Sequence, residues 1–397
     1  MKNSLKILIL GNMANDGYSV AKEMKKMGMD VTLAINNLDF GMSMPEWEEA
    51  EFDEFIDPYD QDRKPMQKYW KSPEWIRHFN FELKIHPRKL PKRFIESVII
   101  RKISREFDVV ESHVPYPMIS QFSGVPYYVY EAGWIRHFEN RRNVVDRLGE
   151  RGYNKAKGII ITNPDTLRIV ETLPTIRKDS IYFTPFAIDS EYYKPEKRIN
   201  SLFNFMRDDH FIISAPARQL WDTKGNDKYI RAFSRFVKIN PNARLVSTSW
   251  SDDASKSLAL CASLGISDKV IWLPPMPKKF LIRLFNASHV VLDQFILGSW
   301  GTLTPEAMSC EKPVLMYYNE EYIKRTFGEN PPILNSFSEE DILQNLIILQ
   351  SEEKRIEIGK KSREWIKKTH DPRMVAQRHL DILEGKGEEI ILNPIKK

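Results

Sequence analysis

The chain has 397 residues, more than one ordinary hydrophobic core organises, so two domains are expected. With 42% hydrophobic residues and no apolar run near the roughly 18–20 residues of a membrane helix, composition excludes a disordered chain and argues against a membrane-spanning one. The net charge of +5 is a modest excess, compatible with phosphate-bearing substrates or an anionic membrane surface and giving no sign of a nucleic-acid partner.

The two cysteines, Cys261 and Cys310, form no CxxC pair. That argues against a disulfide framework and a zinc cluster, and suits a reducing cytoplasm. Met1 to Ala14 mimics a short signal peptide, but Leu5–Leu10 is brief and turn residues follow it, so a buried first strand is the better reading.

In chain order, Lys6–Leu10 reads as a strand, Tyr18–Met27 as a helix and Asp30–Ala34 as the next strand. Asp108–Ser112, Pro126–Tyr130, Gly158–Thr162 and Ser180–Thr184 follow as strands, with helical patterns between most of them. Such alternation predicts a parallel sheet covered on both faces. The pattern breaks around Pro185–Asn200 and restarts with Phe211–Ala215, a helix over 226–240, Ala243–Ser247, a helix over 253–264, Val270–Leu273, a helix after Pro277, and Val290–Asp293. The expected organisation is an N-terminal domain over 1–190, a C-terminal domain over 200–370 and a helical tail over 371–397.

Residues 41–90 read as an insertion rich in aromatics (Trp47, Tyr69, Trp70, Trp75, Phe79 and others) and acids. A side flap with its own aromatic core is one reading; part of a sugar- or lipid-facing acceptor site is the other. Residues 84–105 are basic, with Ile and Val near helical spacing from Phe94 on. They fit a helix packed on the sheet, or an interfacial helix touching anionic lipid.

Two stretches carry the chemistry. Ala215–Gly225, "APARQLWDTKG", lies between a strand and a helix. Such a turn offers backbone N–H groups to a diphosphate, and Arg218 and Lys224 add the cations. Two solvated loop cations are the plain alternative. Gly298–Cys310, "GSWGTLTPEAMSC", follows the strand ending at Asp293. Gly301 allows close backbone approach, and the amides of Thr302, Leu303 and Thr304 could meet phosphate at a helix start. Glu306 could accept hydrogen bonds from two ribose hydroxyls, or simply favour a helix N-terminus as acids do. Loop cations and a helix-start acid contribute little to a core, so removing any of the three side chains is expected to leave the fold intact.

Together these stretches resemble the GT-B retaining glycosyltransferases, especially glycosyltransferase family 4. "ARQLWDTKG" resembles that family's "GR…EKG" loop, and "GSWGTLTPEAMSCEKPV" its "EGFGxxxxEAMAxGxPV" loop. "TPFAIDSEYYKP", "FDVVESHVPYP" and "GNMANDGYSVAKEMKKMGMDV" are similar to its interdomain, strand-end and glycine-loop signatures. The resemblance covers nearly the whole chain and is loose over residues 35–105. It implies an α/β fold of two Rossmann-like doubly wound domains facing a cleft, with C-terminal helices crossing back to the N-terminal domain. It also implies sugar transfer from a UDP- or GDP-linked donor to a hydroxyl acceptor, with retention of configuration. The acceptor would be a glycan or lipid-linked glycan of cell-surface polysaccharide synthesis, reached from the cytoplasm or the inner face of the plasma membrane. By the same resemblance His113 would face the donor sugar or acceptor hydroxyl, an ordinary strand-end histidine being the plain alternative, while Glu131 and His137 are weaker candidates.

Two positions depart from the family. Its usual glutamate eight residues before the one matching Glu306 is Gly298, and the histidine of its "HG" loop is Ala132. A non-catalytic nucleotide-sugar-binding protein therefore stays open, as does a GT-B-like epimerase or phosphorylase, which would share the cleft and most of the cradle. Asp60-Gln61-Asp62 spells a metal-binding DxD, but in a polar, turn-like run rather than after an apolar strand. No metal and no cofactor beyond the sugar donor is expected, because two cations would stabilise the leaving diphosphate.

Overall fold

The structure, a computed structural model, describes residues 5–50, 70–81, 90–140, 144–196 and 207–392. Side chains of the helix Leu90–Ser104 are described from Ser97 on. The described chain divides into two compact units, one running to Ala187 and resuming at Pro372, the other Ile188–Asp371.

The first unit is built on β1 (Lys6–Leu10), β2 (Asp30–Asn36), β3 (Ile76–Phe79), β4 (Val109–His113), β5 (Tyr127–Glu131), β6 (Gly158–Ile161) and β7 (Ile181–Phe183). They form one parallel sheet in the order β3-β2-β1-β4-β5-β6-β7. Ile7 and Ile9 of β1 and Val31 and Leu33 of β2 are fully buried beside the Tyr18, Ala21 and Met24 face of the helix Asp16–Lys26. A strand covered on both faces reads as a near-continuous apolar run, which is why these elements were legible in sequence.

The same core takes Val375, Ala376, Leu380 and Leu383 from the helix Pro372–Leu383, so the last helix packs on the N-terminal unit. The described part of the expected 41–90 insertion builds no separate aromatic core. Trp75 stacks on Tyr18 with ring centroids 5.9 Å apart, Trp70 meets the same ring edge-on at 6.0 Å, and Ile76–Phe79 is an edge strand beside β2. Arg77 and His78 point outward from that strand and break its apolar pattern, hiding it in the sequence. The Asp60–Asp62 pair and residues 82–89 lie outside the described residues.

The second unit is built on β8 (Phe211–Ala215), β9 (Ala243–Thr248), β10 (Val270–Leu273), β11 (Val290–Leu292), β12 (Val314–Met316) and β13 (Leu334–Asn335), ordered β10-β9-β8-β11-β12-β13 and parallel throughout. Its core joins Phe233 and Phe236 of the helix Asn226–Ile239 to Ile213, Leu245 and Leu292 of the sheet. The Arg363 guanidinium donates to the carbonyls of Ser190 (2.8 Å), Tyr193 (3.1 Å) and Ser309 (2.6 Å), tying the stretch after Ile188 to this unit.

Candidate active site

In the second sheet the chain leaves β8 towards β9 and leaves β11 towards β12, so the loops after these adjacent strands diverge. Open parallel sheets bind ligands at that switch point, beyond the carboxyl ends of the strands. The two sequence stretches singled out above are these two loops.

The loop after β8 is pinned from beneath. The buried Gln219 side chain donates to Ser247 Oγ (3.1 Å) and accepts from Ser257 Oγ (2.7 Å), while Asn226 accepts from the Leu220 amide (2.8 Å) and donates to the Arg218 carbonyl (3.2 Å). With its neighbours anchored, the Arg218 side chain is left exposed. Gly225 ends the turn at φ +64°, and a Cβ there would come within 3.1 Å of Ile296. A side chain is disfavoured there on both grounds.

Lys224 is not a solvated cation. Its Nζ lies 2.9 Å from Oδ1 of Asp293, a fully buried carboxylate just beyond β11, and Asp293 Oδ2 accepts from Thr304 Oγ1 at 2.9 Å. The structure thus joins Lys224 of one loop to Thr304 of the other through a residue that sequence reasoning assigned no role. The ion pair engages one of the ammonium's three N–H donors, so the side chain can keep Asp293 and still donate elsewhere.

The loop after β11 is shaped by buried Gln294. Its Oε1 accepts from the amides of Ile296 (3.0 Å) and Leu297 (2.7 Å), and its Nε2 donates to the carbonyls of Tyr317 (2.7 Å) and Ser299. That wrap carries Gly298 to φ +78°, where a Cβ would sit 3.3 Å from the Tyr317 ring. The absence of a side chain at 298 therefore belongs to the loop's own geometry. At Gly301 nothing lies within 4 Å of an added Cβ, so the backbone borders open space. The helix Leu303–Ser309 starts at Thr302 without a side-chain cap, leaving its first amides for another acceptor.

Glu306 is almost wholly buried and forms an ion pair through Oε1 with Lys278, whose Nζ also donates to Thr302 Oγ1 at 3.3 Å. Glu306 Oε2 is buried with no hydrogen-bond partner among the described residues. One oxygen, not two, is left without a partner among the described residues. Lys278, at the start of the helix Lys278–Ala287, was not foreseen; a lysine following Pro277 carries no motif.

His113 belongs to the other unit. It sits fully buried at the end of β4, stacked on Tyr130 at 4.1 Å, with Nε2 hydrogen-bonded to Glu111 Oε1 at 3.0 Å. Glu111 Oε2 pairs with His379 Nδ1 of the last helix at 2.7 Å. Burial opposes the Glu111 charge, but His379 and the hydrogen bonds from both imidazoles outweigh it and hold the carboxyl down at about 2. Burial pushes the His113 imidazole below its ordinary value. Its Nδ1 has no hydrogen-bond partner among the described residues. The glycine loop serves this packing: a Cβ at Gly11 would meet the Tyr116 ring at 2.7 Å, and one at Gly17 would meet His113 Cε1 at 3.2 Å. Glu131 is a brace, accepting from Tyr153 and from the amides of Gly133 and Ile135, and His137 is exposed. No group of three His, Cys, Asp or Glu able to hold a metal occurs among the described residues.

Two parallel, doubly wound units with the last helix returned to the first define the GT-B class. Solved structures bear this out: HepE from Anabaena, in a complex with UDP and glucose, superposes with a TM-score of 0.71 over 96% of this chain and 100% of its own at 12% identity. Sucrose-phosphate synthase from Thermosynechococcus elongatus gives 0.68 over 96% and 98%, also at 12% identity. Residues 204–367 match the family described as glycosyl transferases group 1. Among curated relatives, D-inositol 3-phosphate glycosyltransferase of Acidothermus cellulolyticus is 26% identical over 180 residues, covering 42% of this chain and 40% of that protein. The enzyme of the same name from Stackebrandtia nassauensis is 25% identical over 178 residues, with the same coverage. This chain thus matches about two fifths of the length of those relatives. No helix among the described residues is long and apolar enough to cross a membrane.

Proposed function

We propose that this protein is a glycosyltransferase that moves a sugar from a nucleoside diphosphate sugar to a hydroxyl acceptor, with retention of configuration and without a metal. The observation that carries the reading is the switch point of the second sheet. There an exposed Arg218, a Lys224 held by Asp293, the uncapped turn at Thr302–Thr304 and the unpartnered Oε2 of Glu306 all belong to the loops and helix starts around β8 and β11. A nucleoside diphosphate supplies what each lacks: anionic oxygens for the cations and amides, and a hydroxyl donor for Glu306. HepE, with which the fold is shared, was solved with UDP-glucose, which supports a donor of this kind.

In the reaction the bond from the anomeric carbon to the diphosphate breaks and negative charge grows on the leaving oxygens. Arg218 and Lys224 would stabilise that charge, and more strongly in the transition state than in the bound donor. Binding and catalysis at this end thus rest on the same two side chains. The acceptor is a glycan or lipid-linked glycan of cell-surface polysaccharide. A peripheral contact with an anionic membrane is favoured by the helix Leu90–Ser104, where Val98 and Ile99 are about half exposed beside exposed Arg101, Lys102 and Arg105.

A thermal-shift screen of UDP, GDP and ADP with their sugars tests the reading. A ligand at about 100 times its Kd adds roughly 2.7 kcal/mol of stability, and one nucleotide series is expected to reach that. NMR of the product formed with an acceptor panel then gives the anomeric configuration. Conversion of the donor without any acceptor would instead reveal an epimerase, and no shift with any nucleotide would refute the proposal.

A further inference from the structure

Glu306 would be an expensive residue to bury if it served only to start a helix. Its side chain is 2% exposed, and a carboxylate so placed is costly unless a cation pairs with it. Lys278, itself only 12% exposed, supplies that charge and occupies Oε1. The carboxylate is thereby held in one orientation with Oε2 alone presented, buried and unpartnered. Lys278 is in turn fixed from two directions: its Nζ reaches Thr302 Oγ1 at 3.3 Å, and its backbone follows the stretch Pro274-Pro275-Met276-Pro277, where three prolines stiffen the approach from β10. An ion pair built only for stability would not leave one carboxylate oxygen buried and unpaired, because that oxygen costs free energy whenever no donor reaches it.

We propose that Lys278 is the specificity-determining positioning residue of the nucleotide site, fixing Glu306 so that it selects a ribose diol over a deoxygenated sugar. This rests on the nucleotide reading above. Without the ammonium, the Glu306 carboxylate loses the charge that holds Oε1 and is free to rotate, so a ribose hydroxyl gains little over its absence. The diphosphate, bound at Arg218 and Lys224, is indifferent to the change.

The test is calorimetric titration of the full chain with UDP, 2′,3′-dideoxy-UDP and inorganic pyrophosphate, with the guanine nucleotides used in place of the uridine ones if GDP proves to be the ligand. Wild type is expected to prefer the ribonucleotide by about tenfold or more, the worth of a hydrogen bond to a charged group. Lys278→Met should bring the ratio to within about threefold, as should Glu306→Gln, while Lys278→Arg preserves it and pyrophosphate affinity stays the same throughout. Lys278→Gln, which keeps a neutral donor beside Glu306, gives the same reading should the Met variant not fold. A ratio that survives in folded Lys278→Met or Lys278→Gln overturns this inference alone. Failure of wild type to bind any of these nucleotides overturns the proposed function as well.

Discussion

Replacing Lys224 by alanine separates the structural and ligand-binding parts of the cradle. The sequence suggested that removing a loop cation would leave the fold intact, and for Lys224 the structure corrects this. Its partner Asp293 is fully buried, 2.9 Å away, and among the described residues keeps only the Thr304 hydroxyl once the ammonium is gone. Stripping one partner from a buried pair costs about 3–5 kcal/mol, and the 18% exposure of Lys224 puts this case near the lower end. At about 2–4 °C per kcal/mol for a domain of 150–250 residues, a loss near 3 kcal/mol lowers the melting temperature by roughly 6–12 °C. Adding Asp293→Asn to Lys224→Ala removes the stranded charge and should recover most of that loss, whereas nucleotide affinity should stay low. Arg218→Ala is the control. Arg218 is exposed, so its melting temperature should hold while nucleoside diphosphate affinity falls about tenfold to a hundredfold. Differential scanning fluorimetry and titration calorimetry read the two quantities. A Lys224→Ala protein that melts with wild type, or one that Asp293→Asn does not rescue, refutes the reasoning.

Glu111 should make the first unit acid-sensitive. Its folded value of about 2 lies below the ordinary 4.5, so its contribution is complete above about pH 4.5 and is lost as pH falls towards 2. Urea unfolding at pH 6 and pH 3 should show this fall in wild type and a smaller one in Glu111→Gln, and equal falls would exclude the buried pairing with His379. Gly298→Glu, which installs the acid usual in the family this chain resembles, should lower stability and turnover together, because φ +78° and the Tyr317 ring both oppose a side chain; a gain in turnover would show that the loop readily adopts another path. Activity should survive EDTA, since the proposed mechanism gives the leaving group to Arg218 and Lys224; a loss restored by manganese would return attention to Asp60 and Asp62.

The sequence by itself determined most of the two sheets, because strands buried on both faces must be apolar throughout and the helices between them must be amphipathic. Phe211–Ala215 and Val270–Leu273 match the structure end to end for that reason. It also located the two loops of the candidate site, since glycine, proline and charge cluster where a strand gives way to a helix. The tertiary structure alone decided which side chains meet. Asp293 and Lys278 each come from one element and act on another, Asp293 standing 69 residues from Lys224 and Lys278 28 residues from Glu306. Nothing in their local sequence marks such pairs, because a buried ion pair is selected by the low-dielectric space between two elements and not by either element's own pattern. Ile76–Phe79 was hidden for the converse reason: an edge strand buries only part of its surface, so half its residues are free to be polar and the apolar signal drops below recognition.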